Sequence, residues 1–160
     1  MTNHSQFGDI DHILPLSRRP DLVVDWPNLG FACQVCNNNK GDYHDERLPL
    51  VNPYAEDPAE FFTFHGPMAA HHPGNERGQL TIACVELNRP DLVARRLERL
   101  QQLAPLIDQI ALMPPGAPRG VMLDVLARHT SPATEFSAAI EARLRPFLSS
   151  AHILTAPAGS

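Results

Sequence analysis

The sequence has no apolar run close to the ~18 residues that a membrane-spanning helix needs. Its opening residues, MTNHSQFGDI, also lack the basic and apolar regions of a secretion signal. With 3 cysteines the chain is too poor in thiols for a disulfide framework, and two of them lie at the spacing Cys33-x-x-Cys36. We therefore expect a soluble cytoplasmic protein whose paired cysteines serve metal or redox chemistry.

Positive charge is also scarce. The chain has one lysine and twelve arginines, and its net charge is −5. By region, the net charge is −3 in residues 1–50, −4 in residues 51–88 and +2 in residues 89–150. No basic stripe of the kind that lines a nucleic-acid surface is present. A protein of this charge that acts on a polyanion needs a bound metal, a favourable local geometry or a partner.

What the chain does contain is enough apolar material for a packed core, because 43% of its 160 residues are hydrophobic and 19% are charged. The pattern predicts four regions: a motif-bearing part at residues 1–50, an irregular connector at 51–87, a helical region at 88–150 and a disordered tail at 151–160. A short strand, Gln79–Val85, is predicted within the connector. The fold class is accordingly predicted as α+β.

Short elements are predicted around the motif. Two strand-length apolar stretches, Ile10–Leu14 and Leu29–Cys33, flank a polar loop that contains prolines, and a short helix is expected near Cys36–Asp42. The later helical pattern predicts a helix that starts near Pro90 and kinks or restarts at Pro105, a helix over Val121–Arg128, and a last helix that starts at Ser131.

Residues suited to hydrolytic chemistry are concentrated near the N-terminus. Asp11 and His12 are adjacent, and Asn28 and Asn37 follow, the latter just after the cysteine pair. A neutral histidine can accept a proton from water, and a carboxylate with an amide oxygen can hold a hard cation such as Mg²⁺. Neighbours on a strand point to opposite faces, so Asp11 and His12 need a bend or a position between two elements to act together. These parts suffice for hydrolysis of a phosphodiester with one metal ion.

The segment D-I-D-H-I-L-P-L-S, with Asn28, Asn37 and Lys40 in register, resembles the HNH (ββα-metal) endonuclease motif. The resemblance implies an α+β fold with a ββα-metal (His-Me finger) motif followed by a mainly α-helical region. It implies that His12 is the general base and that Asp11 and Asn37 hold a catalytic Mg²⁺ or Mn²⁺. Asn28 would brace the loop and orient the histidine, and Lys40 would lie near phosphate or support the helix.

The resemblance extends along most of the chain. Residues 51–58, Gly66, residues 81–96 and residues 135–140 are similar to HNH nucleases of bacterial anti-phage systems of the Septu and retron-associated types. These nucleases work beside an ATPase partner. The resemblance therefore implies a DNA endonuclease that is the effector of a defence system, and the acidic charge predicts weak binding to free DNA and delivery by the partner.

One feature departs from that family, which usually carries a second Cys-x-x-Cys before the Asp-His pair to complete a structural zinc site. Cys33 and Cys36 supply two of the four ligands that such a zinc needs. His4, His44 and Cys84 are candidates for the others, although an incomplete N-terminus is the explanation that we favour.

Two alternatives remain at this point. The chain could be an inactive or truncated HNH-fold module that docks an ATPase partner, or a redox Cys-x-x-Cys protein, which leaves Asp11 and His12 without a role. Two further side-chain environments are predicted. Trp26 is expected to pack its loop onto the core, and Arg95, Arg96 and Arg99 are expected on an exposed helix face.

Overall fold

The structure, a computed structural model, describes residues 8–131 and 134–153. These residues form strands and helices in the following order: β1 Gly8–His12, β2 Leu29–Cys33, α1 Gln34–Lys40, β3 Phe62–His65, β4 Met68–His71, α2 Glu76–Cys84, α3 Pro90–Leu112, α4 Ala117–Ala127 and α5 Ser137–Ile153. Contacts divide the described chain into two compact units. The N-terminal unit comprises residues 8–62 and 69–89, and the C-terminal unit comprises residues 63–68 and the described residues from 90 onward.

The N-terminal unit begins with an antiparallel hairpin of β1 and β2, in which Ile10 lies opposite Phe31 and Asp11 opposite Gly30. Helix α1 follows β2 directly. Its first turn is capped by the Cys33 sulfur, which accepts a hydrogen bond from the backbone N–H of Cys36. This arrangement confirms the predicted α+β class with a strand–strand–helix motif, although β1 starts and ends two residues earlier than Ile10–Leu14.

The segment after α1 is held to the unit by polar contacts. The Arg77 guanidinium donates to both carboxylate oxygens of Glu56, at 2.7 and 2.8 Å, and to the carbonyls of Pro49 and Leu50. The Tyr54 hydroxyl accepts from the backbone N–H of Phe31 at 2.7 Å and donates to the carbonyl of the same residue at 2.8 Å. A strand partner makes the same pair of bonds, so one side chain ties this segment to β2.

The strand predicted at Gln79–Val85 is wrong, because these residues lie in and just after helix α2. The Asn75 side chain caps that helix by accepting from the N–H of Gly78 at 2.8 Å, and Glu76 occupies its first turn. The buried Thr81 hydroxyl accepts from the backbone N–H of Val51 at 3.0 Å. The side-chain cap and the buried face stabilise a helix here, although the short apolar run alone predicted a strand.

The C-terminal unit has an apolar core between α3, α4 and α5. Its fully or largely buried members are Leu103, Ile107, Ile110, Leu123, Leu126, Ile140 and Leu144. Helix α3 continues through Pro105 to Leu112, so of the predicted kink or restart at this residue the restart is wrong. Pro105 cannot donate the usual backbone hydrogen bond, but burial of Leu103 and Ile107 on either side of it holds the helix together.

The last helix and the arginines of α3 also differ from expectation. Helix α5 starts at Ser137 rather than Ser131, and it extends to Ile153, which covers the first residues of the predicted tail; residues 154–160 lie outside the described part. Arg96 is buried, with its guanidinium stacked over the rings of Phe64 and Phe136 and bonded to the Pro67 carbonyl. No helix among the described residues is long and apolar enough to cross a membrane.

Candidate active site

Asp11 and Lys40 connect strand β1 to helix α1. The Asp11 side chain is buried on the face of β1 that α1 covers, and the Lys40 Nζ lies 2.6 Å from its Oδ1. The same ammonium group donates to the backbone carbonyl of His12 at 2.6 Å. Because Lys40 is the last residue of α1, one side chain fixes the end of the helix to two consecutive residues of the strand.

His12 is the last residue of β1, so its imidazole lies on the opposite face of the strand from Asp11. Its Nε2 is 3.1 Å from the carbonyl oxygen of Val23 in the loop between the strands. A carbonyl only accepts hydrogen bonds, so this contact requires the proton on Nε2. The unprotonated nitrogen is then Nδ1.

Asn28 holds that loop against the strand. Its side chain is buried, with 3% of its surface exposed. The Oδ1 atom accepts from the N–H of Leu14 at 2.7 Å, and the Nδ2 group donates to the carbonyls of Leu14 and Leu22, at 3.1 and 3.5 Å. The Asn28 carbonyl also accepts from the N–H of Ile13 at 2.9 Å. Asn28 therefore anchors Ile13 and Leu14, which follow His12, and Leu22, which precedes Val23.

Asn37 shares a helix face with Lys40, because residues three apart on a helix are neighbours on its surface. Since Lys40 contacts Asp11, Asn37 is placed on the side of α1 that faces β1. Its side chain makes no hydrogen bond to another described residue. The second carboxylate oxygen of Asp11 likewise has no donor among the described residues.

These donors fit a hard divalent cation, because a carboxylate oxygen and an amide oxygen are the ligand types that Mg²⁺ and Mn²⁺ prefer. The described residues contain no cluster of three or more His, Cys, Asp and Glu side chains that could hold a metal. A cation at Asp11 and Asn37 would thus have two protein ligands, with its other positions open to water and phosphate.

The cysteine pair lies at the start of α1. The Sγ atoms of Cys33 and Cys36 are 3.0 Å apart, and the guanidinium of Arg89 lies 3.4 Å from each sulfur. Burial raises the pKa of Cys36, and the Cys33 sulfur beside it raises that pKa further. Although burial acts to raise it, the pKa of Cys33 is lowered by hydrogen bonds from Cys36 and by the charge of Arg89. Among the described residues, the positive charge beside the two sulfurs therefore comes from the guanidinium of Arg89.

Neither of the two described candidates, His44 and Cys84, forms a metal-holding cluster with these cysteines within residues 8–131 and 134–153. His44 is exposed, and the Cys84 sulfur is directed at the carbonyl of Asn39 at 3.9 Å. His4 lies outside the described residues. Two thiolates do not satisfy the four-ligand requirement of a structural zinc, and the described residues supply no more.

Two residues that contact the candidate site residues, Arg89 and Val23, were not identified from the sequence. Arg89 is far from the cysteines in the chain and has no motif of its own, and Val23 acts only through its backbone carbonyl. Neither residue type signals such a role.

The first comparison with known proteins is a match to a family model. Residues 3–43 match the model of the HNH endonuclease family, so the N-terminal segment of this chain is similar to HNH endonucleases. A particular relative is the Septu protein PtuB of Bacillus thuringiensis, which is 28% identical over 92 residues. That alignment covers 57% of this chain and 35% of the relative, so the chain spans about a third of the length of the relative that it matches. No solved structure gives a significant match.

Proposed function

We propose that this chain is a metal-dependent HNH endonuclease that hydrolyses phosphodiester bonds in DNA, and that it is the effector of a bacterial anti-phage defence system. The observation that carries the proposal is the contact between His12 Nε2 and the Val23 carbonyl. It leaves Nδ1 as a basic nitrogen on a ring of fixed orientation, which is what a general base for water requires.

Asp11 and Asn37 would hold the cation. Alternation directs the Asp11 and His12 side chains to opposite faces of β1, so they would act together at the end of this strand, where the chain bends at residues 13 and 14. Asp11 and Asn37 offer hard oxygen donors that are not bonded to other described side chains, apart from the Asp11–Lys40 pair. A divalent cation held there supplies positive charge to the phosphoryl oxygens and to the leaving 3′ oxygen.

Asn28 and Lys40 act on the geometry of this site. Asn28 fixes the loop that presents the Val23 carbonyl, and so it sets the direction in which the His12 ring faces. Lys40 orients the Asp11 carboxylate, because its ammonium group is bonded to that carboxylate in a place with little exposure to solvent. Lys40 is thereby a positioning residue rather than a direct phosphate contact.

A role in defence is supported by the similarity to a Septu protein and by the resemblance of the downstream segments. The acidic charge of the chain fits delivery to DNA by another protein, since phosphate contacts with basic residues supply most of the affinity of free DNA-binding proteins. The proposed partner is an ATPase.

A nicking assay on supercoiled plasmid with Mg²⁺ or Mn²⁺ tests the catalytic assignment. We expect His12→Ala to lower the cutting rate by about 10²- to 10⁴-fold, the usual contribution of a general base. His65→Ala, a change at an exposed histidine in the C-terminal unit, serves as the control and should cut normally. Equal cutting by wild type and His12→Ala contradicts the assignment.

Metal binding is tested separately by calorimetric titration of Mn²⁺ into the whole chain. Asn37→Ala should weaken binding, whereas Asn38→Ala, its exposed neighbour on the same helix, should not. A chain that binds no hard cation and cuts no DNA, yet still binds its ATPase partner, is the result expected of a non-catalytic interaction module.

A further inference from the structure

Three large apolar side chains are exposed on the β1–β2 hairpin and on the loop between its strands. Ile10 and Phe31 lie opposite each other on the hairpin, and alternation along β1 places Ile10 on the same face as His12. Ile10 is 65% exposed and Phe31 is 70% exposed. In the loop that supplies the Val23 carbonyl, Trp26 is 84% exposed. We call Ile10, Phe31 and Trp26 the apolar patch.

The exposure of Trp26 contradicts the expectation that this residue packs its loop onto the core. The turn that carries Trp26 is nevertheless well fixed, because the N–H of Asn28 bonds to the Asp25 carbonyl at 2.9 Å and the N–H of Leu29 bonds to the Trp26 carbonyl. The Asn28 side chain anchors the same turn from inside. A large indole held in one place and left bare contributes little to folding, whereas exposed apolar groups of this kind mark binding surfaces.

Charge indicates what the patch can bind. Residues 8–89 contain six lysines and arginines but twelve aspartates and glutamates. Arg19, Lys40 and Arg77 are each paired with a carboxylate. Duplex DNA is bound chiefly through cations on its phosphates, and inserting a side chain into a duplex also costs the unstacking of base pairs. Unpaired bases present a free aromatic face, and stacking of such a base on an aromatic side chain adds affinity that does not depend on unstacking a duplex.

We propose that Trp26, in the loop whose Val23 carbonyl contacts His12, is a stacking platform for an unpaired base of the nucleic-acid substrate. The inference rests on the proposed nuclease function and names its preferred substrate: single-stranded or locally unpaired DNA rather than intact duplex.

Trp26 is the only tryptophan of the chain, so its fluorescence reports on the patch directly. The whole chain is titrated in EDTA, which prevents cutting, with an oligothymidine and with a blunt duplex hairpin. Fluorescence anisotropy of a labelled oligonucleotide measures binding independently. We expect the oligothymidine to quench the indole emission and to shield it from acrylamide, and the duplex to do neither. Binding without any change in emission, no binding at all, or equal responses to the two ligands overturns the proposal.

Variants distinguish base stacking on Trp26 from the general effect of removing an exposed apolar side chain. Trp26→Ala should weaken binding of the labelled oligothymidine by roughly tenfold to a hundredfold, and Trp26→Phe should keep most of the affinity. Leu112→Ala removes a side chain that is 87% exposed in the C-terminal unit, and it should bind like wild type. Circular dichroism confirms that each variant is folded. Equal loss in Trp26→Ala and Leu112→Ala contradicts the platform.

Failure of this inference and failure of the nuclease function give different results. Wild-type nicking that is unaffected by Trp26→Ala, together with unchanged emission on binding, leaves the nuclease intact and rejects the platform. If the wild type does not cut with either metal, the nuclease assignment fails, while the titration in EDTA still decides whether bases stack on Trp26. If the patch instead binds a protein, no oligonucleotide changes the emission.

Discussion

The two units are stabilised in opposite ways. The C-terminal unit buries leucine and isoleucine side chains from three helices, and its buried charged group, Arg96, is stacked between aromatic rings. In the N-terminal unit the buried side chains include Asp11, Asn28 and Thr81, whereas large apolar groups such as Trp26 and Phe31 are exposed.

This difference indicates a division of roles. Burying polar groups costs free energy unless each is hydrogen-bonded, so a unit built around them is less stable than one with an apolar core of similar size. Buried polar contacts do, however, fix directions, and a site that must orient an imidazole and a carboxylate requires fixed directions. The C-terminal unit is packed around apolar side chains, and the N-terminal unit holds the residues of the proposed site in fixed directions.

The largest expected effect on stability is in the apolar core. Leu126→Ala should lower the free energy of unfolding by about 2–5 kcal/mol, because Leu126 is completely buried and its truncation leaves a cavity. Hydrogen exchange followed by mass spectrometry should show faster exchange in peptides from α3 and α4. A change below about 1 kcal/mol would mean that the core of this unit is not well packed.

The next effect is in the buried polar network. Asn28→Ala should cost about 1–3 kcal/mol, because it leaves the N–H of Leu14 and a carbonyl without partners. Exchange should increase in peptides that contain Ile13 and Leu14, and plasmid nicking should be lost with it. Asn38→Ala is the control, since Asn38 is exposed. Normal nicking by Asn28→Ala would remove Asn28 from the site.

A smaller effect, with a defined pH dependence, is expected at Glu56. Hydrogen bonds from Arg77 lower the pKa of this carboxyl below its usual value of about 4.3. A lowered folded-state pKa stabilises the protein above pH 4.3, and this stabilisation is lost as the pH falls through the lower value. Glu56→Gln should therefore cost about 1 kcal/mol at neutral pH, a figure reduced for solvent screening, and the difference from wild type should shrink in acid. Denaturant unfolding at several pH values measures this; a difference that does not vary with pH contradicts it.

The smallest expected effect is at the apolar patch. Trp26→Ala should change the free energy of unfolding by no more than about 0.5 kcal/mol, because the side chain covers no other group. Denaturant unfolding followed by circular dichroism checks this. A loss as large as that of Asn28→Ala would show that the indole is part of the fold, and the contrast between the units would weaken.

The sequence predicted secondary-structure elements correctly where the apolar pattern and the local hydrogen bonds favour the same element. Strand β2 has the predicted bounds, Leu29–Cys33, and two of the predicted site residues, Asp11 and Lys40, are in contact. The strand predicted at Gln79–Val85 failed because its apolar pattern suits either structure and the capping contact from Asn75 decided. Contacts made by backbone carbonyls, such as that of Val23, leave no trace in the sequence.

Side-chain environments were predicted less well than elements. Arg96 lies on a helix with other arginines, which suggested exposure, but the aromatic rings that bury it come from distant segments of the chain. Trp26 has the residue type of a core side chain, and its exposure depends on which way a fixed turn faces. Both outcomes are set by tertiary contacts that pattern and propensity do not encode.

The Tyr54 hydroxyl, which satisfies both main-chain groups of Phe31, has a consequence for self-association. An open strand edge is a template on which another chain can add a strand, and such edges promote aggregation. Here the edge of β2 is blocked at its middle residue by a side chain from the same molecule. Addition of a strand from a second copy along β2 is thus opposed at this residue, even though apolar side chains on the face of the hairpin are exposed.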